Sequence, residues 1–218
     1  MSAFCHDRDL LITEPGLFTG GAFAAQRLGA GADGVLTGTA FTSPSAEFFA
    51  WGVQPGMVLC LYTDQVSEGR CYEITAVPAA GTLSVSVVRA TPDAAALPPP
   101  PWAAPVHWQV LSFAPQIAQA SNALAERLRT AGEAAGIVPE SFADSDQLRT
   151  VAAHATLAAL FAASAEGAEK SDARWSKARH YWRLCQEGLL RLRLAVDVNG
   201  DGLAEQTRSL ANVRLRRL

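Results

Sequence analysis

The chain has 218 residues, 49% apolar and 18% charged, enough to bury a core and too apolar for global disorder. No segment reaches the roughly 18 consecutive apolar residues of a membrane-spanning helix, and the opening Met1-Ser2-Ala3-Phe4-Cys5-His6-Asp7-Arg8 lacks the basic stretch and apolar run of a signal peptide, so the expectation is a protein made in the cytoplasm. The net charge of −3 is unevenly placed: residues 1–169 hold 7 basic and 16 acidic side chains and residues 170–218 hold 11 and 5, so the two ends differ in sign.

Gly29-Ala30-Gly31-Ala32-Asp33-Gly34 matches neither a Walker loop nor a dinucleotide fingerprint and reads as a flexible loop. After it come short apolar runs with a β rhythm: Gly34–Phe41, Met57–Tyr62, Arg70–Val77 and Thr82–Val88. Gln54-Pro55-Gly56, Ser67-Glu68-Gly69 and Ala79-Ala80-Gly81 read as the turns between them. Leu83, Val85 and Val87 alternate with Thr82, Ser84 and Ser86, which places the apolar set on one face. Cys60 and Cys71 fall on two of these runs. With no CxxC pair in the chain and a reducing compartment expected, they read as a buried pair of reduced thiols rather than a disulfide. Pro98 to Pro101 reads as an extended, stiff connector, and Val106–Leu111 as one more strand beyond it.

After Phe113-Ala114-Pro115 the period lengthens to that of helices. Ile117, Ser121, Leu124 and Leu128 form one stripe, with Gly132 and Gly136 as a stop. Asp144 or Ser145 can cap a second helix, striped by Leu148, Val151, Ala155, Ala158 and Ala162. Ser171 or Asp172 can cap a third, with Trp175, Ala178, Trp182, Cys185 and Leu189 inward and Arg174, Lys177 and Arg183 opposite. Two alternating runs, Arg191–Val196 and Ala211–Arg216, then predict a hairpin. The fold expected is therefore α+β: a small antiparallel β-barrel or sandwich in residues 1–112, then a helical bundle with a C-terminal β-hairpin in residues 113–218. Residues 1–30 are left open to pack on the helical part.

Between the two hairpin runs, Asp197, Asn199, Asp201 and Glu205 place oxygen donors at relative positions 1, 3, 5 and 9, with Gly202 at position 6 and the Leu203 carbonyl as a further donor. Calcium needs six or more oxygens at about 2.3–2.6 Å, and this alternation can offer several. The segment resembles the short DxDxDGxxD calcium loops of β-propeller repeats, but has Arg208 where an EF-hand has its bidentate Glu. Asn199-Gly200 and Asp201-Gly202 are also common hairpin turns without any ion, so both readings stay open. Catalytic signals are thin: His6, His107, His154 and His180 are scattered, and His154 reads as a packing histidine. An enzyme is not expected.

From Asp146 onward the order of features resembles the head-to-tail connector (adaptor) proteins of long-tailed phages and phage-derived particles. The resemblance rests on an Ala- and Leu-rich helix, His180-Tyr181-Trp182-Arg183-Leu184 on the next, and Leu189–Leu194 running into Asp197–Gly202. It implies a virion neck protein that self-associates in a ring, commonly of twelve copies, binding the portal protein and a tail-completion protein and meeting DNA only as it passes through the channel. The basic end of the chain, Arg214, Arg216, Arg217 and Leu218, is then the partner-binding arm. Family members are often little more than the helical part, so the β-rich region is an addition. The competing expectation, from the same acidic loop and β-rich half, is a calcium-dependent carbohydrate- or surface-binding module.

Overall fold

A computed structural model describes residues 3–19, 21–63, 66–133, 146–166, 169, 172–196 and 206–209. The chain divides into two compact units, His6–Phe113 and Met1–Cys5 with Ala114–Leu218. Of the first thirty residues, only the first five therefore belong with the helices.

The first unit is a closed six-stranded antiparallel barrel, preceded by helices α1 (Asp7–Thr13) and α2 (Gly16–Thr19) and a 3₁₀ segment, Gly21–Gln26. Its strands are β1 (Arg27–Thr37), β2 (Ala40–Thr42), β3 (Val58–Thr63), β4 (Val66–Ala79), β5 (Thr82–Ser86) and β6 (Val106–Leu111), arranged around the barrel as β1-β2-β5-β4-β3-β6. Hairpins join β1 to β2 and link β3, β4 and β5, while β6 seals the cylinder between β3 and β1. Closure removes the unpaired edges that an open sheet would offer for aggregation. Alternation predicts β5 and β6 because their inward residues, Leu83, Val85, Val106, Trp108 and Val110, are fully buried.

The glycine-rich stretch is a strand, not a flexible loop. A Cβ at Gly29 would stand 2.4 Å from the Trp51 ring, one at Gly31 2.7 Å from Trp108, and one at Gly34 2.7 Å from Phe41. Bare backbone here lets large rings fill the barrel: Trp108 lies 5.5 Å from Phe48, 5.9 Å from Phe41 and 6.0 Å from Trp51, ring centre to ring centre. The expected single strand Gly34–Phe41 is instead the end of β1, a turn at Gly38 with φ +57°, and β2. Ser67-Glu68-Gly69 is likewise not a turn, since Thr63 pairs with Val66 and all three residues belong to β4.

Two further expectations change. Cys60 and Cys71 stand opposite each other on β3 and β4 and are joined by a disulfide. Facing register brings two Cβ atoms within the distance a bridge requires, which composition alone does not reveal. The proline run is laid on the barrel rather than spanning free space: Leu97 pairs with Val87, Pro99 is buried, and Trp102 packs against the core and donates to the Tyr72 hydroxyl at 2.9 Å.

Helix α1 is tied into the barrel by charge. Asp9 accepts from the His6 N–H at 2.8 Å, and Asp7 accepts from Ser112 Oγ at 2.8 Å and the Phe113 N–H at 2.7 Å. Burial pushes the Asp7 carboxyl from 3.8 up to about 6, outweighing these hydrogen bonds, which pull it down. A raised carboxylate pKa means that the folded state binds the extra proton. Its contribution is full below about pH 4 and lost as pH rises through about 6, at a cost of about 3 kcal/mol. Asp7→Asn should therefore flatten the pH dependence of stability between pH 4 and 6, read from urea midpoints. An unchanged slope would show that Asp7 does not set it.

The second unit holds α3 (Ala114–Glu133), α4 (Asp146–Ser164) and α5 (Ala173–Arg191), followed by β7 (Arg193–Val196) and β8 (Gln206–Ser209), which pair antiparallel. Along α3 the predicted stripe is buried at Ile117, Ser121, Leu124 and Leu128, and Ser121 Oγ accepts the Phe4 N–H at 3.1 Å. Helix α4 packs against both α3 and α5 and is buried on most sides, which its Ala-rich composition permits. Asp172 caps α5 as predicted, accepting the Arg174 N–H at 2.7 Å.

The inward stripe of α5 is Ala178, Tyr181 and Cys185, not Trp182. Three consecutive bulky residues, His180-Tyr181-Trp182, leave the helical phase ambiguous in sequence. Tyr181 takes the interior because it stacks on Phe161 of α4 at 5.9 Å.

Candidate functional site

The predicted metal ligands Asp197, Asn199, Asp201, Leu203 and Glu205 lie outside the described residues, as do Arg214, Arg216, Arg217 and Leu218. What is described is the ladder flanking the acidic segment: Val196 pairs with Gln206 and Arg193 with Ser209. The strand opposite β7 is thus Gln206–Ser209; the expected Ala211–Arg216 is also outside the described residues. Gln206-Thr207-Arg208-Ser209 has no apolar side chain and so shows no alternation, yet a two-stranded ribbon pairs through its backbone alone.

Helices α4 and α5 enclose an open groove of about 420 Å³, lined by Asp146, Thr150, Val151 and His154 on one side and Leu184, Glu187, Gly188 and Arg191 on the other. A Cβ on Gly188 would meet Val151 Cγ2 at 2.7 Å, so the glycine lets the helices approach. His154 stacks on Tyr181 at 6.0 Å, and burial, followed by the charge of His180, lowers its pKa. The half-buried His154, packed on an aromatic ring, is a wall of this groove.

Two surfaces expose large apolar side chains. On α5, Trp182 is 54% exposed and Leu190, two turns further along, 68%, with the exposed Arg179 and Arg183 on the same side of the helix and Arg183 3.9 Å from Glu187. Large apolar groups held in water on a basic helix face characterise interfaces more than solvated surfaces.

On the barrel, Phe49 is 58% exposed beside the exposed Glu47, although its neighbours Phe48 and Val53 are buried. The segment is pinned. Phe48 N–H donates to the Ala80 carbonyl at 2.7 Å, Trp51 N–H to Glu47 at 3.0 Å and Val53 N–H to Phe48 at 2.9 Å. Its entry is pinned too, because Asp33 accepts from Ser43 Oγ at 2.7 Å, the Ser45 N–H at 3.0 Å and Trp108 Nε1 at 3.1 Å. These hydrogen bonds, Ser43's first, hold the Asp33 carboxyl well below the usual carboxylate range. Phe49 is therefore displayed by a stiff scaffold.

Sequence reasoning missed both surfaces: the tryptophans of α5 read as its inward stripe, and Phe48-Phe49-Ala50-Trp51 falls between the predicted strands. Comparison with known protein families, with curated proteins and with solved structures finds no match to this chain.

Proposed function

We propose that this protein is a structural head-to-tail connector of a tailed-phage-type particle, forming a ring between the portal and the tail, with its second unit acting as a helical bundle that ends in a hairpin. The observation that carries this is the direct passage of α5 through the single residue Leu192 into β7, which pairs with β8: the helix, helix, hairpin order of the connector resemblance. The exposed Trp182 and Leu190 on a basic helix support it, because a ring needs a sticky face on each copy. The barrel decorates the ring.

Co-expression with the portal protein of the same genome should yield a ring beneath the portal in electron micrographs, with about twelve copies, as such rings commonly have. Deleting residues 213–218 should abolish that docking while leaving the fold intact by circular dichroism. Failure of the full chain to bind either the portal or the tail-completion protein would overturn the assignment.

A further inference from the structure

We propose that copies of this chain join head to tail by seating the Phe49 knob of one barrel on the Trp182 face of the next copy's α5. This rests on the ring reading and names the surfaces that build it. Three observations converge. Both partners are apolar groups more than half exposed, Phe49 on the barrel and Trp182 and Leu190 on the helix. Their borders are complementary in charge: the exposed Glu47 lies two residues from Phe49, and the exposed Arg179 three residues from Trp182, with Arg183 shared with Glu187 of the same helix at 3.9 Å.

The complementarity extends to the whole elements. Leaving out the buried Asp7, Arg8, Asp9 and Glu73, residues 6–113 carry 3 basic and 6 acidic side chains, whereas α5 carries 5 basic and 1 acidic, with Asp172 capping its start. Finally, both groups are pre-positioned. Phe49 sits on a segment anchored by Phe48 and Trp51, and Trp182 on a 19-residue helix, so little ordering entropy is spent on docking.

When the knob of one copy seats on the face of the next and that copy's knob is not returned to the first, the contact is heterologous. Each copy then keeps one free knob and one free face, so association continues until it closes on itself. An isologous dimer, by contrast, would stop at two.

The test uses the full chain in analytical ultracentrifugation at low salt. The wild type should self-associate beyond a dimer, and association should weaken as salt rises. Phe49→Glu and Trp182→Glu should each weaken it about tenfold or more, while both chains stay folded because the altered side chains are exposed. Mixing the two variants is the decisive arm: one intact knob and one intact face remain between them, so a 1:1 heterodimer should form and grow no further.

A wild type that stays monomeric or stops at a dimer would overturn the proposal. So would full association of either variant alone, or a mixture with no heterodimer. The connector assignment fails separately: a chain that self-associates in this way yet ignores the portal sinks the connector and keeps the interface. Portal-bound rings with full copy number from Phe49→Glu chains would sink the interface and keep the connector.

Discussion

Glu73→Leu should cost about 3–5 kcal/mol of barrel stability, the range for removing one partner from a buried ion network. Glu73 is fully buried on β4. Its carboxylate accepts from Arg8 Nε at 3.0 Å, from Arg89 Nε at 2.7 Å and from the Arg89 N–H at 3.2 Å, with Arg89 Nη2 as a further donor. Arg8 is only 2% exposed and reaches Asp9 at 3.3 Å and the Arg89 carbonyl, while Arg89 Nη1 donates to the Ala94 carbonyl at 2.8 Å. One carboxylate thus joins α1, β4 and the segment after β5.

Without it, two guanidinium groups lose their shared counter-ion in a place where water cannot replace it. Urea unfolding should show a lower midpoint with an unchanged slope. Replacing all three together, as Arg8→Met, Glu73→Leu and Arg89→Met, should cost less than Glu73→Leu alone, since both stranded guanidinium groups are then gone and Asp9, which loses Arg8, keeps its hydrogen bond from the His6 N–H. A single variant within about 1 kcal/mol of wild type would show that the network contributes little.

The same network marks where sequence reading runs out. Strands β5 and β6 and the inward stripe of α3 are legible because one local periodicity places their side chains, and β3 because it is a continuous apolar run; both are properties of neighbouring residues. Arg8 and Glu73 are 65 positions apart, so nothing local links them. The β1 strand hides because its glycines are selected by what they face, Trp51, Trp108 and Phe41, rather than by any propensity of their own. Trp182 misleads in the opposite sense. Its helical spacing assigns it to the inward stripe, and only the packing of Tyr181 shows that this neighbour has taken the interior position. The acidic segment and the basic tail were the most legible features chemically, and they lie outside the described residues.

The disulfide carries the other large expected effect. Cys60 and Cys71 are 11 residues apart, and closing a loop of that size restricts the unfolded chain by about 3 kcal/mol in the chain-entropy account. The bridge joins β3 to β4 at the register position between Leu59↔Tyr72 and Leu61↔Arg70, so it fixes the pairing of two long strands at their middle. Cys60 is buried, and Phe18 of α2 supplies a carbonyl 3.6 Å from its sulfur, which places the bond beneath a helix rather than in open solvent.

Reduction should therefore be slow in the folded protein and rapid once urea opens the barrel. Under reducing conditions the urea midpoint should fall by the equivalent of about 3 kcal/mol, and Cys60→Ala with Cys71→Ala should reproduce that fall without added thiol. Cys5 and Cys185 are buried thiols outside this bridge and should contribute nothing to the difference. Mass spectrometry of the unreduced chain should find the Cys60–Cys71 peptide pair linked. Finding both thiols free, with a midpoint indifferent to reductant, would restore the reduced pair that composition suggested.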